Sequence, residues 1–104
     1  MSTVGLQEIR EKADLALRSA EADANASPVL TAVVRELAAK AAKALDLAGG
    51  DREWEGLLEV EQAGDSAKAA AEADRGAAEA TVSSIQAAHL AACMLKAGMA
   101  QTAK

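Results

Sequence analysis

Alanine fills 29 of the 104 positions, and more than any other feature that commits the chain to helices. Ala loses no side-chain entropy in a helix and crowds no neighbouring turn. Strand-favouring residues are scarce: six Val, two Ile and one Trp, with neither Phe nor Tyr. The expectation is an all-α protein, an Ala-rich antiparallel four-helix bundle. The same composition leaves a thin core. Leu, Ile and Val together supply 19 residues. Each contributes about 1.5–3 kcal/mol when fully buried, against a folding entropy on the order of 100 kcal/mol. Either Ala lets the helices approach closely, or further surface is buried in an oligomer.

The single proline divides the chain most clearly. In Asn25-Ala26-Ser27-Pro28, Ser27 suits an N-cap and Pro28 the first helical position, where its missing N–H is no loss. Gly49-Gly50 ends the helix that follows, with one glycine able to take the left-handed conformation. Asp51 reads as the next cap, with Glu53 and Glu55 favourably near the positive end of the helix dipole. Gly64 and Gly76 are two candidate breaks. With Gly64 tolerated inside a helix and Gly76 in a turn, the helices lie near 6–25, 28–48, 51–75 and 77–100. Near-equal lengths and short loops suit a bundle, a single helical domain over 1–104. No internal repeat is read. Residues 51–76 hold eight acids against three bases; the run reads first as a solvated acidic face, and beside Lys40 and Lys43 it would be a favourable neighbour worth under about 1 kcal/mol.

The net charge of −5 argues against nucleic acid and anionic lipid as partners, since both select basic surfaces. One Cys forms no internal disulfide and fits a reducing compartment, so a cytoplasmic protein is expected. The first twelve residues lack the apolar stretch of a signal peptide. Residues 82–95 are too short, and too rich in Ser, Gln and His, for a membrane span. No cofactor is expected. One His and one Cys on the same helix assemble no nucleophile, base and orienting group, so the chain does not read as an enzyme.

The last helix is unlike the others. No acid or base falls between Glu79 and Lys96, and His89 and Cys93 both lie in that gap. At helical spacing Val82, Ile85, Ala88, His89, Ala92, Leu95 and Met99 share one side, and Ala87, Leu90, Ala91 and Met94 the other. A helix apolar nearly all round is buried or paired with another chain. The reading is a non-catalytic interaction or assembly protein. It forms a homodimer, or joins another helical protein, through Ile85, Leu90, Cys93, Met94 and Met99, with Trp54 as core anchor. An alternative is a small-ligand or metal-binding bundle around His89 and Cys93, whose i, i+4 spacing puts two ligands on one face. Met94 and Met99 are possible soft donors. A metal there would need further ligands, as from a second subunit.

Trp54-Glu55-Gly56 is a W-x-G motif near the middle of a helical chain of about 100 residues. It resembles the WXG100 proteins secreted by the type VII system. That resemblance implies a secreted helical hairpin that dimerises through long apolar faces. The chain departs from the family in two ways. Ser27-Pro28 and Gly49-Gly50 cut it into more than two helices, and without Tyr it has no C-terminal Y-x-x-x-D/E signal. A histidine in a four-helix bundle is also similar to the histidine phosphotransfer domains. Their histidine precedes Leu-Lys-Gly, whereas His89 precedes Leu90-Ala91-Ala92.

Overall fold

A computed structural model describes residues 2–102. The protein is an all-α four-helix bundle of α1 (Ser2–Ala22), α2 (Pro28–Asp46), α3 (Glu53–Ala73) and α4 (Glu79–Thr102). Helices α1 and α3 each pack against both α2 and α4. Paired residues run in opposite order along the α1–α4 and α2–α3 seams: Gly5 lies against Leu95 and Ser19 against Thr81, while Gly56 lies against Ala44 and Asp74 against Ser27. Among the described residues no helix is long and apolar enough to cross a membrane.

The helix ends follow local chemistry. Ser27 caps α2, its hydroxyl accepting the Leu30 N–H at 3.1 Å, with Pro28 in the first turn. Gly49 takes φ +80° after α2, a conformation costly for any other residue. Asp51 is not the cap of α3. Arg52 holds that position without a side-chain bond, and the Glu53 carboxylate reaches back to accept the Gly49 N–H at 2.9 Å. Gly64 is buried inside α3 and Gly76 sits in the α3–α4 turn. Helix α1 starts earlier than expected and stops at Ala22, because Asp23 leaves the helix to bond elsewhere.

The core is one cluster in which Leu6, Ile9, Leu30, Val34, Leu37, Leu57, Val60 and Ile85 alternate with buried alanines. Trp54 is not its anchor. It is 39% exposed, because it sits about 100° round α3 from the buried stripe of Leu57, Val60, Gly64 and Ala67. Gly56 packs closely on α2, where a Cβ would meet the Ala44 Cα at 3.2 Å.

The chain does repeat, contrary to the reading of its sequence. Helices α1 and α3 start 51 residues apart, and so do α2 and α4. Aligned at that offset without gaps, the halves share eleven identities, six of them not Ala: Gly5/Gly56, Leu6/Leu57, Glu8/Glu59, Asp14/Asp65, Glu21/Glu72 and Asp23/Asp74. The contacts repeat with them. Gly5 packs on Leu95 and Gly56 on Ala44, which are counterparts. Asp23 accepts the Ala78 N–H at 2.7 Å and Asp74 the Ser27 N–H at 2.8 Å, again counterparts. Each hairpin thus caps the second helix of the other.

Candidate functional site

The two sides of α4 hold the residues singled out from the sequence. Toward α3 lies a small polar cluster. The His89 side chain is 16% exposed, and its Nε2–H donates to the Asp65 carboxylate. Gly64 admits it, since a Cβ there would come within 3.0 Å of His89 Cδ2. Cys93 Sγ lies 3.5 Å from His89 Nε2 and 4.0 Å from Glu61 Oε2, and Lys96 Nζ donates to Glu61 Oε1 at 2.8 Å. Burial first, then the charges of Glu61 and Asp65, push the Cys93 thiol up. It therefore stays a thiol, the poorly nucleophilic form. Hydrogen bonding to Glu61 raises the Lys96 ammonium pKa.

The sequence places His89 and Cys93 on one face, and the structure keeps them adjacent. Glu61, Asp65 and Lys96 escaped notice; their one signal is the i, i+4 spacing of Glu61 and Asp65, which is uninformative without the register of α3 against α4. Among the described residues no three His, Cys, Asp or Glu side chains are arranged to hold a metal. Nor does any buried side-chain nitrogen or oxygen there lack a partner. The cluster is a closed hydrogen-bonded seam. Its counterparts in the first hairpin are Arg10, Asp14, Ala38, Ala42 and Leu45, so the carboxylate of Asp65 recurs as Asp14 while the His, Cys and Lys belong to one half alone.

The other side of α4 faces outward. Ser83, Gln86, Leu90, Met94 and Ala97 are all exposed, with Leu90 at 59% and Met94 at 65%. The remaining residues expected at an interface lie elsewhere. Ile85 is fully buried in the protein's own core, because it falls on the opposite side of the helix from Leu90. Met99 is partly buried against that core, and Cys93 is turned toward α3.

The internal repeat supplies a control for this surface. Outward positions on α2 carry Arg35, Glu36, Lys43 and Asp46 where α4 has Gln86, Ala87, Met94 and Ala97. Along the α2–α3 seam, Glu59 accepts from Lys40 at 2.9 Å and from Lys43 at 3.2 Å. Those bonds lower the Glu59 pKa and raise that of Lys40. On the α1–α4 seam the counterpart Glu8 shares a groove with Gly5, Ala91, Met94 and Leu95, and the two cations are gone. Equivalent places in one fold thus hold a carboxylate with two cations on one side and a carboxylate beside apolar residues on the other.

Comparison with protein-family models, curated proteins and solved structures finds no match.

Proposed function

We propose that this protein is a non-catalytic assembly component that associates through the outward face of its C-terminal helix. One observation carries the reading: α4 exposes Leu90 and Met94 and contributes no charge between Glu79 and Lys96, while the equivalent surface of α2 holds four charged residues. A solvated helix face is ordinarily polar, and an apolar one is the usual mark of an interaction site. The partner is a second copy of the chain or another helical protein. The net charge of −5 supports a protein partner over nucleic acid or anionic lipid, and the lone Cys supports a reducing, cytoplasmic setting.

Size-exclusion chromatography with light scattering tests the reading. The wild type should elute as a dimer or larger species. Leu90→Lys and Met94→Lys should give soluble, folded protein of smaller mass, because a lysine ammonium on the contact would have to be desolvated. A wild type that stays monomeric at the highest attainable concentration, alone and with soluble lysate proteins, would falsify it.

A further inference from the structure

We propose that the partner is another protein, which lays a lysine- or arginine-bearing amphipathic helix along the α1–α4 groove with a cation at Glu8. The proposal rests on the docking function above and adds the partner's chemistry and a second helix to the surface. Helix α1 widens the apolar face. Val4, Glu8, Glu11 and Leu15 recur at i, i+4, i+7 and i+11 and share one stripe of α1. Val4 is 68% and Leu15 52% exposed. Glu8 brings this stripe to the groove that it shares with Gly5, Ala91, Met94 and Leu95. Two neighbouring helices thus expose Val4, Leu15, Leu90 and Met94. Their counterparts on α3 and α2 are Glu55, Ser66, Ala39 and Lys43, so the apolar surface belongs to one side of the bundle alone. Apolar side chains a helical turn apart, beside a groove between helices, fit a helix laid into that groove.

Charge selects the occupant. Glu59, the counterpart of Glu8, accepts from two ammonium groups, those of Lys40 and Lys43. The repeat puts Ala91 and Met94 at those two places, so α4 supplies no cation there. Glu8 keeps an ion pair with Lys12 of its own helix at 3.8 Å, and its side chain is 60% exposed. A carboxylate at the edge of an apolar groove suits a cation whose aliphatic stem lies along the groove wall. The groove encloses about 250 Å³, below the roughly 300–1,000 Å³ of small-molecule sites, and takes a side chain rather than a small ligand. A positively charged partner is also drawn to a chain of net −5. A second copy brings that same net charge, and another Glu8 in place of a cation.

Three synthetic amphipathic helices with the same leucine stripe, flanked by Lys, Gln or Glu, test this by fluorescence anisotropy against the full chain. The Lys peptide should bind most tightly and the Glu peptide not at all. Glu8→Gln should weaken the Lys peptide about two- to fivefold, as for an exposed ion pair. Glu59→Gln, with the same change in net charge, should leave it unaffected. A Leu90→Gln, Met94→Gln variant keeps the net charge and should lose binding. Equal binding of the Lys and Gln peptides, or no effect of Glu8→Gln, would overturn the cationic partner and leave the docking function standing. So would a wild type that self-associates and binds no peptide. Peptide binding and oligomeric state both unmoved in the Leu90→Gln, Met94→Gln variant would overturn both.

Discussion

Asp23 and Asp74 each leave one hairpin to hold the other. Both carboxyls are kept below their ordinary range, Asp23 chiefly by the Ala78 N–H and Asp74 chiefly by the Ser27 N–H. A depressed carboxyl binds its proton more readily in the unfolded chain. Its contribution is therefore present above the ordinary carboxylate range, near pH 4, and is lost as pH falls through the lower folded value. The melting temperature should drop steeply below about pH 4. An Asp23→Asn, Asp74→Asn double variant should melt lower at neutral pH and respond less to acid. Circular dichroism melts across pH check this; an unchanged acid response in the double variant would place its source elsewhere. Gly56 matters at the same scale. Gly→Ala inside a helix ordinarily gains about 1 kcal/mol, but here a Cβ would press on the Ala44 Cα at 3.2 Å and Leu47 Cδ1 at 3.1 Å. Overpacking costs about 1–3 kcal/mol, so Gly56→Ala should be destabilising by roughly 1 kcal/mol. Gly5→Ala meets the flexible tip of Leu95 and should cost less; urea titration of the two variants checks both values.

At the scale of an element, α4 separates its core residues from its exposed apolar ones. Ile85 is fully buried, Leu90 mostly exposed. Ile85→Ala should lower stability by about 2–5 kcal/mol in denaturant unfolding, while the folded protein keeps its wild-type mass. A loss below about 1 kcal/mol would mean that Ile85 is less tightly packed than its burial indicates. Sequence periodicity identified two apolar sides on α4 but assigned Ile85 and Leu90 to one interface. Only its seat against α1 and α3 separates them. The repeat was hard to see for a similar reason. Helices α2 and α4 share a single identity, Ala41/Ala92, in a chain where Ala pairs arise often by chance. The six distinctive matches cluster in α1, α3 and the turns after them, where the caps and close glycine contacts recur.

For the whole molecule, the thin core is offset by geometry. Buried alanines and Gly56 let the helices sit close together, and reciprocal caps tie the hairpins at one end. The association proposed above, through a helix face that adds no charge of its own to an acidic protein, would have its own salt signature. Raising NaCl from about 0.05 M to 0.5 M shortens the screening length from roughly 14 Å to 4 Å, weakening the repulsion between copies. Dilution followed by light scattering should show tighter dimers in high salt. Dissociation by salt would instead assign the contact to ion pairs away from Leu90 and Met94.

The amino-acid sequence alone determined that the chain forms four helices and where α2 begins and ends, because Ala content, the Ser27-Pro28 start and the Gly49 stop act within a turn or two of the chain. It also determined that α4 is apolar on two sides. Tertiary structure decided the rest. Helical spacing limits a residue to a face, and only packing says whether that face meets the core, a neighbouring helix or solvent. Packing therefore sent Ile85 inward and Leu90 outward, left Trp54 at the surface, gave His89 the Asp65 carboxylate, and set Asp23 and Asp74 across from the N–H groups that they cap.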